Sequence, residues 1–439
     1  MTRRPVPTTA ASGSRLPASF VMLIGSFTLL PAMSTDMYLP SLPQVATDLG
    51  TTAAGAQFTI TGMVLGGAAG QLIVGPLSDR VGRRKPALVA VSGHVLISLL
   101  CAIAPSIGVL AGLRLLQGFF AASGIVTAIA VVRDRYTGSE VARLMSRLML
   151  VIAAAPMLAP SIGTVVAGQW GWRAVFLVLA GVGGALLLFA LLRLPESLPP
   201  ERRQRHGVGA LARGYLDLLR DKRFRALAVL PGMAQAVVIS YVAGSPFVLR
   251  EQFGLSGGQF SLVFALGGAS LVAGSQLNAG LVRRISPSRL LRVGAPAMAG
   301  SSAVLVVMVV GGVGGVLGLL VPLWCALFAL GFVTSNASAL ALSRHGERAG
   351  TAAATIGALQ SGVAGSVSPL VGLLGGDAVA MTSVILGTAV VALLVLGLAT
   401  PIYRRQGWVA LDAPGSDPSP DLEGAGLVTS AESGATATA

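Results

Sequence analysis

Two charged side chains stand inside long apolar stretches of this sequence, and they are the first candidates for chemistry. Asp36 lies near the end of the apolar run 17–40, and Arg114 lies within the run 107–132. A charge at bilayer depth is costly and is usually kept for ion or proton movement. At 1.5 Å per helical residue, we expect Asp36 about 5 Å and Arg114 about 10 Å below the same membrane surface. The two residues are predicted to share a hydrated cavity, with a structural ion pair or a hydrated, near-surface Asp36 as alternatives.

A short charge cluster separates two further apolar runs. The segment Gly75–Lys85 contains Asp79 and four basic residues, whereas charged residues make up only 11% of the chain. Gly75 and Gly82 bracket the cluster, and glycine permits unusual turns and close backbone approach. The pattern predicts a tight loop at a membrane surface, in which Asp79 faces the positive end of a helix that begins on the same side.

The overall composition indicates a membrane protein. The 439 residues are 54% hydrophobic with a mean hydropathy of +0.78, whereas a soluble domain is about 25% charged. Apolar runs of about 20 residues recur, and only helices of that length cross a bilayer with their backbone hydrogen bonds satisfied. The predicted fold is an all-α membrane protein with twelve transmembrane helices in two six-helix, pseudo-symmetric bundles. The predicted spans are 17–40, 55–76, 86–105, 107–132, 144–168, 172–193, 225–249, 258–281, 289–310, 313–342, 350–374 and 378–402.

The basic residues predict the orientation and the domain organisation. With the N-terminus inside, 28 of the 31 Lys and Arg residues fall on the cytoplasmic side, as the positive-inside rule requires. We therefore expect both termini on the cytoplasmic side of the membrane. The predicted divisions are a tail 1–16, an N-terminal bundle 17–193, a central loop 194–224, a C-terminal bundle 225–402 and a disordered tail 403–439. The net charge of +14 lies in short loops, so no nucleic-acid partner is expected.

The remaining reactive residues argue against an enzyme. Cys101 and Cys325 lie in apolar runs of opposite halves, and the three histidines are scattered. No nucleophile–base set and no metal-ligand spacing appears, so neither catalytic residues nor a metal site is predicted. His94, within an apolar span, is interpreted as a packing residue rather than a proton relay.

The charge cluster resembles a known signature. Its spacing is similar to the loop between the second and third helices of major facilitator superfamily transporters. The matching residues are Gly75, Leu77, Asp79, Arg80, Gly82, Arg83 and Arg84. Other segments resemble the Bcr/CflA branch of the drug:proton antiporter-1 family, namely 34–43, 112–118, 132–134, 171–176, 194–198, 254–256, 274–278 and 335–342. The fifth-helix antiporter motif is matched only by Pro156, Pro160 and Gly163, because two of its glycines are replaced.

The resemblance implies alternating access by two bundles, with proton entry driving the efflux of amphiphilic drugs such as chloramphenicol- or bicyclomycin-like antibiotics. It implies that Asp36, Arg114 and Gln117 serve proton coupling or substrate binding. It also implies that the signature loop gates the cytoplasmic side of a bacterial plasma membrane, with Asp79 against the start of the eleventh helix near Gly350. No cofactor is expected beyond the proton gradient, and the expected partners are drug, protons and lipid, with the chain as a monomer. An exporter of one endogenous metabolite, or a proton symporter, is the alternative. The uncharged polar residues expected to line the cavity, or else to join neighbouring helices, are Tyr38, Gln235, Tyr241, Asn336 and Gln360.

Overall fold

The computed structural model describes residues 18–136, 144, 148, 158–203, 208–345 and 349–403. These residues form helices joined by short connections, with no strand in the described ranges. Within the described ranges, eleven helical segments are long and apolar enough to cross a membrane. About half of the predicted fifth span, 144–168, falls outside the described residues, and a helix covers 158–170.

The helices follow one another in the order that the apolar runs predict. They are α1 (Ala18–Asp36), α2 (Leu42–Asp48), α3 (Ala53–Val81), α4 (Arg84–Ala102), α5 (Ile107–Arg135), α6 (158–170), α7 (Trp172–Arg193), α8 (Val208–Arg220), α9 (Lys222–Ser245), α10 (Gly257–Leu281), α11 (Pro287–Val310), α12 (Gly315–Leu342), α13 (Ala349–Val367), α14 (Pro369–Leu373) and α15 (Ala378–Ala399).

The first span is longer than predicted and is broken near its middle. Helix α1 ends at Asp36, a 3₁₀ turn covers Leu39–Ser41, and α2 then continues to Asp48 within one apolar segment. Prolines fit the first positions of a new helical segment, which is why Pro40 and Pro43 do not end the span. Asp36 is therefore about 18 Å, rather than about 5 Å, from the end of the span.

Glycines allow close helix packing within each half of the protein. Helix α3 packs on α5, and a Cβ atom added to Gly118 would overlap the backbone carbonyl of Met63. Helices α10 and α12 repeat this arrangement, since a Cβ atom on Gly274 would overlap the carbonyl of Phe328. Small residues let helix backbones approach closely where no hydrophobic effect drives helices together. The two halves thus use the same packing device at corresponding pairs of helices.

The halves meet along α3, which packs on α13 and α14. At the end of the bundle opposite the signature loop, Gly372 of α14 lies directly against Ala54 of α3. Arg250 Nη1 donates to the Pro40 carbonyl at 2.7 Å at this same end. The two halves are therefore in contact at the end where α1–α2 and α9 terminate.

Two connections differ from the sequence predictions. The signature segment Gly75–Lys85 is not one long loop, because α3 continues to Val81 and α4 begins at Arg84. Only Gly82 and Arg83 form the turn, since the positive φ of Gly82 (+99°) ends α3. The long central connection also contains a helix, α8, which packs against α9 and α13.

Candidate functional site

Asp36 occupies the break in the first span. It is the last residue of α1 and its side chain is buried, with 8% exposure. Within the described part of the chain, no cationic side chain lies within 4.0 Å of its carboxyl group. The C-terminal end of a helix also disfavours negative charge. Burial and the helix end therefore both oppose ionisation of Asp36 in this conformation.

Arg114 of α5 is bound to the same end of α1. Its side chain is fully buried, and its Nη1 atom donates to the Ser34 carbonyl at 2.8 Å and to Gln117 Oε1 at 2.5 Å. The guanidinium also lies over the ring of Tyr38, at 4.7 Å from the centroid. Ser34 lies in the last turn of α1, where carbonyl groups lack partners within the helix and a cation is favourable. The carbonyl end of α1 thus stabilises the positive charge of Arg114 in a position where a carboxylate could otherwise do so.

The shared hydrated cavity predicted for Asp36 and Arg114 stays a prediction. Arg114 bonds the backbone of Ser34, two residues before Asp36. Of the structural alternatives, a direct Asp36–Arg114 pair does not form among the described residues. The guanidinium group of Arg114 and the carboxyl group of Asp36 therefore belong to contacts and residues at the same end of α1.

A polar chain around Arg114 was not predicted from the sequence. Gln117 Nε2 donates to Ser98 Oγ at 2.8 Å, and His94 Nε2 lies 3.4 Å from that oxygen and 3.5 Å from Ser34 Oγ. His94, interpreted from the sequence as a packing residue, therefore has polar partners on two helices. A sequence signal existed in the spacing of His94 and Ser98, four residues apart and on one face of α4.

The fifth-helix motif borders the Asp36 site. A Cβ atom on Gly163 would overlap the backbone carbonyl of Met37, so α6 touches the break in the first span directly. Pro160 is buried one turn earlier in α6. Pro156 lies outside the described residues.

The signature segment forms a charge network at the opposite end of these helices. Arg83 bonds Asp79 at 2.5 Å and Asp134, at the end of α5, at 2.8 Å. Leu77, Arg80 and Arg84 are exposed. Arg83 thereby joins α3 to α5 at the signature end.

Glu196, in the connection after α7, caps the start of α4. Its carboxylate accepts from the backbone N–H of Arg83 at 2.8 Å and of Arg84 at 3.3 Å. Burial alone would raise the pKa of Glu196, but these two bonds and those from the Leu198 and Ser197 N–H groups lower it below its ordinary value. A carboxylate at a helix N-terminus is stabilising. Gly82 is required beside it, because a Cβ atom there would lie 2.5 Å from Glu196 Oε2.

Helix α8 lies between the signature segment and α13. Burial, and to a lesser degree the Asp79 carboxylate, raise the pKa of the Tyr215 hydroxyl group on α8. A Cβ atom on Gly214 would lie 3.8 Å from Thr351 Cγ2 of α13. The resemblance predicts that Asp79 contacts the start of the eleventh span, which is α13. Among the described residues, α8 lies near Asp79 through Tyr215 and near the start of α13 through Gly214.

The predicted cavity residues of the second half have different surroundings. Asn336 is buried and donates to Asn278 Oδ1 at 2.6 Å, so it joins α12 to α10. Tyr241 is buried and stacks on Phe264 at 5.4 Å between centroids. Gln360 donates to Gln235 across α13 and α9 at 3.3 Å, and both are only partly buried. Each of these residues contacts a neighbouring helix, and the two glutamines keep the most accessible surface.

Comparison with known proteins assigns this chain to a family. Residues 18–369 match the family profile described as Major Facilitator Superfamily. The chain is 37% identical over 379 residues to the uncharacterized MFS-type transporter YdgK of Bacillus subtilis, covering 86% of this chain and 94% of YdgK. It is 30% identical over 357 residues to a chloramphenicol resistance protein of Pseudomonas aeruginosa, covering 81% and 84% of the two chains. The solved structure of a D-xylose–proton symporter superposes with a TM-score of 0.69 at 16% identity, covering 88% of this chain and 99% of the symporter.

A bundle of membrane helices in two similarly packed halves, with a charged turn after the second span, is the arrangement of a membrane transporter. This chain belongs to the Major Facilitator Superfamily. It is accordingly an integral membrane protein with the twelve-helix fold of that superfamily, and it is a transporter rather than an enzyme.

Proposed function

We propose that this protein exports small amphiphilic drugs in exchange for protons. The observation that carries the proposal is the buried Asp36 carboxyl group, which lies at the break of the first span without a cation within 4.0 Å among the described residues. Breaks in membrane helices are a recurrent way of building ion sites in transporters.

Proton exchange follows from the surroundings of Asp36. In the conformation described above, burial and the end of α1 favour the neutral carboxyl group. A rearrangement of the halves that admits water would favour the carboxylate. Arg114, which donates to the Ser34 carbonyl two residues before Asp36, would then favour the carboxylate and so the release of the proton. Alternating exposure of one carboxyl group would thereby couple drug movement to the proton gradient without a bound cofactor.

The cargo class is inferred from two observations. The named chloramphenicol resistance protein is 30% identical to this chain, which supports an antibiotic cargo. Aromatic residues make up only 5% of the chain, so a large aromatic cage for organic cations is not expected. We therefore favour neutral or weakly charged amphiphiles of the chloramphenicol or bicyclomycin type.

The charge distribution supports the proposed sidedness. The signature segment and most Lys and Arg residues would face the cytoplasm, with both termini on that side of a bacterial plasma membrane. The network of Asp79, Arg83 and Asp134 would then form part of the cytoplasmic gate. We propose that the chain works as a monomer, since each twelve-helix chain contains both halves.

Drug-induced proton release from everted vesicles tests the coupling residue. Asp36→Asn removes the titratable group and is expected to abolish proton release on addition of chloramphenicol or bicyclomycin. Asp377→Asn is the matched control, because Asp377 caps α15 through the Ala380 N–H and asparagine caps equally well. Proton release by Asp36→Asn at the wild-type level would exclude the assignment.

Growth of a pump-deficient bacterium tests the cargo. Expression of the wild-type chain is expected to raise resistance to at least one antibiotic of a panel that includes chloramphenicol and bicyclomycin. Resistance to none, with intact membrane insertion, would favour an exporter of an endogenous metabolite or a symporter.

A further inference from the structure

The polar side chains around the end of α1 form a closed ring. Ser34 bonds Arg114 through its carbonyl, Arg114 bonds Gln117, and Gln117 bonds Ser98. His94 closes the ring, because its Nε2 atom lies between Ser98 Oγ and Ser34 Oγ. The ring therefore holds one residue of α1 at both its carbonyl and its hydroxyl group, two positions before Asp36.

The direction of every bond on the Arg114 side follows from chemistry. A guanidinium group only donates, so Gln117 must present Oε1 to Arg114. The amide nitrogen of Gln117 then faces Ser98 and donates to its Oγ atom at 2.8 Å. Ser98 gives its own hydrogen to the His94 carbonyl at 2.7 Å. Ser98 Oγ consequently has only a lone pair left for the His94 ring.

The other side of the ring leads to the same result. Ser34 gives its hydrogen to the Leu30 carbonyl at 2.7 Å, which leaves lone pairs on its Oγ atom as well. His94 Nε2 thus faces two acceptors, at 3.4 Å and 3.5 Å. A hydrogen on Nε2 of the His94 ring satisfies both acceptors and is shared between α4 and α1.

We propose that His94 is a positioning residue for Arg114. Its Nε2–H group fixes Ser98 as an acceptor and so holds the Gln117 amide in the orientation that Arg114 needs. It also ties Ser34 to α4, which keeps the end of α1 in register with the guanidinium group. This inference rests on the proposed coupling role of Arg114 and Asp36, and it adds a third helix, α4, to their support.

Substitutions at position 94 separate positioning from packing. His94→Leu fills a similar volume but donates no hydrogen bond, whereas His94→Gln retains a donor. Loss of one such bond is expected to lower chloramphenicol-driven proton release per inserted transporter about five- to tenfold in His94→Leu. His94→Gln is expected to stay within about twofold of the wild type. Equal activity of His94→Leu and wild type, or no rescue by glutamine, would overturn the proposal.

A double-variant cycle tests whether His94 acts through the ring. If it does, Ser98→Ala and His94→Leu combined are expected to reduce transport no further than the more severe single change. In the matched control, Ser302→Ala takes the place of Ser98→Ala in the double variant. Ser302 is also a buried serine that donates to a carbonyl of its own helix, that of Met298 at 2.8 Å. Additive losses would contradict a shared hydrogen-bond path.

Nitrogen-15 magnetic resonance of labelled histidine tests which ring nitrogen of His94 carries the hydrogen, and it needs no transport assay. The chain has three histidines, so the signal that His94→Gln removes identifies His94. The expected signature is a protonated Nε2 and an unprotonated Nδ1. A protonated Nδ1 with a bare Nε2 would refute the ring even if transport is active. If the wild type releases no protons with chloramphenicol, the proposed function fails on that cargo while the spectrum still decides the role of His94.

Discussion

Replacement of Gly82 by alanine is the sharpest test of how the signature turn is held. Gly82 has φ +99° and ψ 170°, a region of backbone conformation that is essentially restricted to glycine. An added Cβ atom would also lie 2.5 Å from Glu196 Oε2 and 3.0 Å from Arg203 Nη2. Glu196 would have to move away from the Arg83 and Arg84 N–H groups that donate to it.

The magnitude follows from these two effects. The backbone strain at Gly82 costs about 1–3 kcal/mol. Glu196 is largely exposed, so each of its two displaced hydrogen bonds counts at the low end, about 1 kcal/mol. The sum, about 3–5 kcal/mol, lowers the ratio of docked to undocked turn by more than about 100-fold.

Hydrogen exchange of the reconstituted protein measures this effect. In the wild type the N–H groups of Arg83 and Arg84 are bonded to Glu196 and should exchange slowly, whereas Gly82→Ala should make them fast and weaken transport. Gly75→Ala is the matched control: Gly75 lies inside α3, its added Cβ atom would meet Val126 at an ordinary 3.5 Å, and alanine favours a helix. Unchanged exchange in Gly82→Ala, or equal damage by both variants, would refute the reasoning.

Three further predictions concern other contacts. Arg250→Ala should remove the 2.7 Å bond to the Pro40 carbonyl and increase spin-label distances between the halves at that end; unchanged distances would show that other contacts keep it closed. Folding lowers the pKa of Glu196, so Glu196 stabilises the folded turn above its ordinary pKa of 4.5 and loses that effect as pH falls through the lowered value. Hydrogen exchange at the start of α4 should therefore rise only in that acidic range. A rise near neutral pH would contradict the assignment. Asn336→Leu should lower the free energy of unfolding in detergent by about 1–3 kcal/mol, because Asn278 loses its buried partner. Replacing both asparagines by leucine should restore most of the lost stability. No recovery would show that the two side chains do not stabilise the protein through their mutual hydrogen bond.

Hydropathy and charge by themselves predict most of the architecture. A bilayer forces apolar runs of about 20 residues to be helices, so the order of spans can be predicted from the sequence. The high cost of charge in lipid likewise makes Asp36 and Arg114 stand out within their apolar runs. The break after Asp36 was not predictable in this way, because the apolar run 17–40 continues through α2 to Asp48 and hydropathy does not register a change of helix.

The partners of the charged groups were decided only by the tertiary structure. Arg114 donates to the Ser34 carbonyl at the end of α1, and no sequence rule assigns a backbone atom 80 positions away to a side chain. Likewise Glu196 reaches Arg83 from 113 positions away, and that contact explains why Gly82 must lack a side chain. The sequence was enough to identify Asp36 and Arg114 as charged residues that lipid strongly disfavours. Only the packing of α1, α4 and α5 decided that Arg114 is held by a ring of hydrogen bonds while Asp36 is left without a counter-charge among the described residues.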